Sequence, residues 1–150
     1  GQTTDQMLIR FRQDVIDLKP TAVVLLAGTN DIAENRGPTT LEAIFENMVS
    51  MAELAKVHGI RMIICSVLPV YDYPWRPGLQ PAEKIMTLNR MLSDYCKAEK
   101  LTFVDYHTPM SDDRHGLQYM YGEDGVHPNL AGYRCMEPLV EAGIQKVLKK

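Results

Sequence analysis

Thr21-Ala22-Val23-Val24-Leu25-Leu26-Ala27-Gly28-Thr29-Asn30-Asp31 is the stretch that decides the fold. Residues 21–27 form a short, continuous apolar run rich in valine and leucine, and it stops at a glycine followed by three polar residues. An unbroken rather than alternating pattern predicts a parallel strand covered on both faces. Asn30 and Asp31 then stand at the strand's C-terminal edge, the edge at which open parallel sheets bind their ligands.

Two further runs repeat this reading, at 60–67 and 101–105, and helical patterns lie between and around them. Upstream, Thr3 with Gln6 makes a capping-box pattern, and Met7, Leu8, Phe11, Val15 and Leu18 recur at helical spacing until Pro20. A second box, Thr39 with Glu42, opens a helix whose inner face is Leu41, Ile44, Phe45, Met48, Met51 and Ala55, with Gly59 as its stop. Pro81 suits the first position of a third helix, which carries Ile85, Leu88, Met91, Leu92 and Tyr95 inward. Asn129 is the N-cap of a last helix, with Leu130, Tyr133, Met136, Leu139, Val140, Ile144 and Val147 expected to point into the core. Helices alternating with short apolar strands predict an α/β fold with a parallel sheet and right-handed crossovers. No repeat, low-complexity tract or interior linker divides residues 1–150, which read as a single domain.

With 45% hydrophobic and 23% charged residues, the 150-residue chain has ordinary globular composition, and no stretch is long and apolar enough to suggest a membrane span. A net charge of −3 lacks the basic excess of a nucleic-acid binder, which leaves a small neutral or modestly charged ligand as the expected partner. Cys65, Cys96 and Cys135 are widely spaced and odd in number, so they predict reduced thiols rather than a disulfide framework or zinc knuckle. The opening Gly1-Gln2-Thr3-Thr4 has neither a charged n-region nor an apolar h-region, and the compartment is not legible.

The most specialised chemistry lies in Gly122-Glu123-Asp124-Gly125-Val126-His127-Pro128-Asn129. Asp124 precedes His127 by three residues, Gly125 permits a tight loop between them, and Pro128 disfavours helical backbone at His127. An imidazole whose tautomer is fixed by a carboxylate is the base half of a Ser-His-Asp system. A metal centre built from His107, His115, Asp124 and His127 is the competing reading, but no His-Glu-x-x-His or comparable ligand spacing is present. His58, His107 and His115 are expected to be surface or capping residues. No cofactor-binding motif is found.

The strand-following Gly28-Thr29-Asn30-Asp31 and the Asp124-Gly125-Val126-His127-Pro128 block resemble two of the sequence blocks of the SGNH hydrolases, the GDSL lipase and esterase family. Gly1-Gln2-Thr3-Thr4 is similar to the tail of a third. The resemblance covers essentially the whole chain in element order. It implies a three-layer flavodoxin-like fold and ester hydrolysis through a serine acyl-enzyme, with His127 as base, Asp124 as its partner, and Asn30 and Gly1 as oxyanion-hole donors. One departure is large, since the family's Gly-Asp-Ser block is not among these 150 residues. Ser50 and Ser93 fall inside predicted helices, Ser111 falls in a polar loop, and Ser66, near a strand end, is expected to bond neighbouring backbone.

Two functions follow. One is a serine esterase for a small ester, such as an O-acetylated sugar or short acyl chain, and the other is a binding module that keeps the scaffold without the nucleophile. Residues 69–81, with Tyr71, Tyr73 and Trp75, are expected to wall the site. In a flavodoxin-like order the missing first strand would lie beside residues 21–27, so self-association or a second polypeptide is expected at that edge.

Overall fold

The structure, a computed structural model, describes residues 1–149. It contains the helices α1 (Thr4–Phe11), α2 (Thr29–Ile32), α3 (Leu41–Val57), α4 (Pro81–Ala98), α5 (His107–Met110) and α6 (Leu130–Leu148), and the strands β1 (Ala22–Leu25), β2 (Arg61–Cys65) and β3 (Thr102–Val104). The strands form one parallel sheet in the order β1-β2-β3. Pairing runs from Ala22 opposite Arg61 to Leu25 opposite Ile64, and from Ile63 opposite Thr102 to Cys65 opposite Val104.

Alternation along β2 divides the core in two. Met62 and Ile64 pack with α1, α3 and α4 through Phe11, Ile44, Met48, Leu88 and Leu92, whereas Ile63 and Cys65 pack with Val104, Met136 and Val147 beneath α6. Successive strand residues point to opposite faces, so four consecutive apolar positions, 62–65, serve two helix layers at once. The result is the expected three-layer α/β/α, flavodoxin-like arrangement.

The helix entrances follow their side chains, with one shift. The Thr3 amide donates to Gln6 Oε1 at 3.2 Å, and Asn129 Oδ1 accepts from the Gly132 amide at 3.0 Å. Pro81 occupies the first turn of α4. At α3 the cap is Thr40, whose Oγ1 accepts from Ala43 N at 3.1 Å, and not Thr39. The sequence holds two adjacent threonines, and only Thr40 places its hydroxyl three residues before a free amide.

Three expected inward residues are exposed. Beyond α1 the chain continues as a π-helical turn, Arg12–Ile16, closed by the Asp17 amide on Arg12 O. The wider turn shifts the apolar stripe so that Ile16 is buried and Leu18 is not. Leu130 and Tyr133 also face solvent, because the buried line of α6 is Gly132, Met136, Gly143 and Val147. A Cβ at Gly143 would lie 2.8 Å from Val104 Cγ2, so the helix approaches the sheet through its small residues rather than its large ones.

Coverage of β1 on both faces is incomplete. Val24 and Leu26 are 40% and 38% exposed, and among the described residues β1 pairs only with β2. Consecutive residues 23–26 line a groove of about 220 Å³ together with Met7, Phe11, Val15 and Met51, with the ion-paired Arg10 and Asp14 also in its lining. Side chains that alternate between faces can line one groove only along the strand's edge.

Candidate active site

Asp124 and His127 meet as their spacing predicts. His127 Nδ1 lies 2.6 Å from Asp124 Oδ2, while Asp124 Oδ1 accepts from the amides of Val126 and His127 at 2.9 and 2.8 Å. One carboxylate oxygen therefore builds the turn and the other holds the ring. Burial pushes the Asp124 carboxyl up, but the hydrogen bonds from His127 and Val126 outweigh it and hold the group down to about 2. The stabilisation that this shift contributes is in place above the ordinary carboxylate value of 3.8 and is lost as pH falls through about 2. At neutral pH the ring is thus anchored by an ionised partner, with Nε2 making no hydrogen bond to the described residues. The His127 side chain is 71% exposed.

The loop owes its position to close backbone approach. Gly125 adopts a φ of 74°, which fits the tight turn between acid and base. A Cβ at Gly122 would meet His127 O at 2.5 Å and Leu117 Cδ2 at 2.4 Å, so only glycine lets this loop close on itself.

Asn30 lies in α2, just past β1. Its Nδ2 donates to Gln2 O at 3.0 Å, and its Oδ1 accepts from Asn35 Nδ2 at 2.8 Å. Both ends of the amide are thereby oriented, and the second Nδ2 hydrogen keeps no partner among the described residues. The N-terminal segment meets Asn30 at Gln2, the residue after Gly1. A small cavity of about 100 Å³ is lined by Asn30, Gly28 and Val126, the last adjacent to His127.

Asp31 is the residue that sequence reasoning did not single out. Its carboxylate, 5% exposed, accepts from the Thr4 amide at 3.0 Å on both oxygens and from Thr4 Oγ1 at 2.6 Å. Asn47 Nδ2 in turn donates to Thr4 Oγ1 at 3.1 Å. Burial raises the Asp31 pKa, and the Thr4 hydrogen bonds only partly offset it. Asp31 thus ties the Gly1–Thr4 segment to the helix bearing Asn30. Asp31→Ala leaves the Thr4 amide unpaired and is expected to cost about 2–3 kcal/mol in urea denaturation. A change below about 0.5 kcal/mol, the range of ordinary surface substitutions, would show that this tie is redundant.

The 69–81 loop does wall the site. Tyr73 is buried, and its hydroxyl bonds Thr29 O and Thr29 Oγ1, each at 2.9 Å. Burial pushes that phenol up to about 12, so it stays a protonated donor. Trp75 lies against His127, ring centroids 5.9 Å apart.

Other expectations are met or corrected. Ser66 is buried, its Oγ accepting from the amides of Tyr106 and His107 at 2.8 and 2.9 Å, a staple from the end of β2 to the turn after β3. His58 caps α3, with Nδ1 2.8 Å from Leu54 O, and His115 is exposed. His107 is no surface residue: it starts α5, is buried, and has Nδ1 3.2 Å from Ser111 Oγ. The short α5, in a stretch expected to be loop, draws that ring inward. Cys65 and Cys96 are buried free thiols. Among the described residues no three His, Cys, Asp or Glu side chains gather to hold a metal ion, and no helix is long and apolar enough to cross a membrane.

The model of the GDSL-like lipase/acylhydrolase family matches residues 1–135. This chain belongs to that family, the SGNH hydrolases. A GDSL-like lipase from Bacteroides thetaiotaomicron is 47% identical, with a TM-score of 0.95 over 97% of this chain and 72% of that one. A candidate acylhydrolase from Bacteroides fragilis is 45% identical, with a TM-score of 0.96 over 99% and 72%. Esterase TesA of Pseudomonas aeruginosa is 28% identical over 132 residues, 87% of this chain. The chain spans 31% and 59% of the length of the curated relatives it matches.

Proposed function

We propose that this SGNH chain forms the acid-base and oxyanion half of a serine ester hydrolase, and that the nucleophile arrives on a strand seated along the free edge of β1. The observation that carries the reading is the 2.6 Å bond from His127 Nδ1 to Asp124, which leaves Nε2 as the only basic nitrogen of the ring. The groove beside β1 shares Met7 and Leu26 with the small cavity lined by Asn30 and Val126. A parallel strand lying in that groove delivers its C-terminal residue next to Asn30 and His127. A Gly-Asp-Ser strand would serve, whether carried on the same polypeptide or on another.

In the assembled site the serine Oγ attacks the ester carbonyl while His127 Nε2 takes its proton. Asp124 stabilises the imidazolium. The carbonyl oxygen gains negative charge and accepts hydrogen bonds from Asn30 Nδ2 and the Gly1 amide. As the tetrahedral centre collapses, the C–O bond to the leaving alcohol breaks and His127 returns the proton to that alcohol. Water then repeats the sequence on the acyl-enzyme, freeing the acid and the serine. The half-exposed ring of Trp75 beside His127 suits a small ester with a flat or ring-shaped group, an O-acetylated carbohydrate or a short acyl ester, whereas the Tyr71 ring is taken up by the Arg114 guanidinium 4.6 Å from its centroid.

The 150-residue chain alone is expected to hydrolyse p-nitrophenyl acetate no faster than an accessible imidazole does. The same chain joined to a Gly-Asp-Ser strand is expected to show a burst of p-nitrophenol and a covalent acyl-serine. A burst from the isolated chain with an adduct on Ser66, or no burst from the joined form, would overturn the proposal.

A further inference from the structure

Asp124 holds His127 through its backbone amide and through Nδ1, but the ring itself makes one hydrogen bond and is 71% exposed, so Nε2 has no hydrogen bond of its own among the described residues to fix its direction. The structure supplies a second constraint. The indole of Trp75 packs beside the imidazole in a tilted contact, with a centroid distance of 5.9 Å and an interplanar angle of 30°.

Trp75 is itself 49% exposed, so its usefulness as a stop depends on the loop that carries it, and that loop is anchored on both sides of the indole. Before it, Tyr73 is fully buried, packs on Trp75 with ring centroids 5.2 Å apart, and ties its hydroxyl to Thr29 O and Oγ1. After it, Arg76 forms an ion pair with Glu34 at 3.2 Å and donates to Glu34 O at 2.7 Å. Asp72 closes the loop across its base by accepting from the amides of Tyr73 at 3.0 Å and Gly78 at 2.8 Å. Both outer anchors, Thr29 and Glu34, belong to α2 and the turn after it, the element that holds Asn30.

We infer that Trp75 is a positioning residue for His127, a brace that fixes the plane of the imidazole relative to the Asn30 helix. A contiguous path, Thr29 to Tyr73 to Trp75 to His127, sets the base and the oxyanion donor in one frame although 97 residues of sequence separate Asn30 from His127. Catalytic rates are sensitive to displacements of this kind, where roughly 1 Å costs about 10²-fold. The role in turnover rests on the hydrolase reading above, whereas the brace itself does not.

Trp75 is the only tryptophan in the chain, which makes the contact directly observable. A protonated imidazole quenches an indole in close contact with it. The charged groups around this pair are Asp124, bonded to His127, and on the Trp75 loop Asp72 and the Arg76–Glu34 ion pair, which the His127→Gln control separates from His127 itself. The first experiment uses this 150-residue chain: intrinsic fluorescence is followed against pH beside the NMR titration of the His127 ring protons. The two midpoints are expected to coincide, and His127→Gln is expected to abolish the fluorescence step. Fluorescence that ignores the His127 titration would overturn the brace, whatever the enzyme does.

The second experiment uses the chain joined to its Gly-Asp-Ser strand. Trp75→Ala is expected to lower kcat by roughly 10- to 100-fold with KM little changed, and Trp75→Phe to restore most of the loss. A raised KM at unchanged kcat would instead make Trp75 a substrate platform and overturn the positioning role. If the fluorescence step follows His127 but the joined chain shows no turnover, the hydrolase reading fails and the brace stands.

Discussion

Asp124→Asn in the assembled enzyme is expected to lower kcat by about 10⁴-fold with the fold retained. The carboxylate does two things that an amide does not. It stabilises the imidazolium formed when His127 takes the serine proton, and it selects the tautomer with hydrogen on Nδ1 and the free lone pair on Nε2. An asparagine can present its NH₂ to Nδ1 and so favour the opposite tautomer, which has no basic nitrogen facing the nucleophile. The turn should survive, because the amides of Val126 and His127 need only one oxygen acceptor, and an asparagine still supplies one. Circular dichroism and thermal melting check the fold, and single-turnover acylation of the serine checks the rate. A folded variant with kcat within tenfold of the parent would mean that His127 is oriented by other contacts.

Asn30→Ala is expected to lower kcat by roughly 10²–10³-fold, with KM little changed. An oxyanion donor acts on charge that exists only in the transition state, so its loss appears in kcat. The structure adds a second, smaller effect. Asn30 Nδ2 also donates to Gln2 O and Oδ1 accepts from Asn35, so the variant should lose about 1–2 kcal/mol of stability as well. A variant that is destabilised by this amount but retains full activity would reduce Asn30 to a clamp on the Gly1–Thr4 segment.

The fold was legible because the apolar runs were continuous and the helices were punctuated by Thr3, Pro81 and Asn129. The Asp124 and His127 pair was legible because three-residue spacing around a glycine leaves few geometries. What escaped has a common physical reason, in that it depends on groups far apart in sequence. Asp31 was legible only as Asn30's neighbour at the strand's C-terminal edge, because its bond to Thr4 crosses 27 residues. On α6 Met136 and Val147 were legible, but the part played by Gly132 and Gly143 was not, because glycine carries no hydrophobic signal while the exposed Leu130 and Tyr133 do. Trp75 read as a wall residue, but nothing local indicated which ring it would meet.

The bond between Asp31 and Thr4 has a bearing on motion. The first amides of a helix have no partner within it, so helices ordinarily fray there first. In α1 the first-turn amide of Thr4 is instead secured to a buried carboxylate by both oxygens. Fraying is therefore expected to start at the opposite end, beyond the π-helical turn at the exposed Leu18. The end of α1 that adjoins Asn30 is expected to be its quiet end, and opening is expected to begin beside the groove along β1, which Val15 of the π-helical turn helps to line.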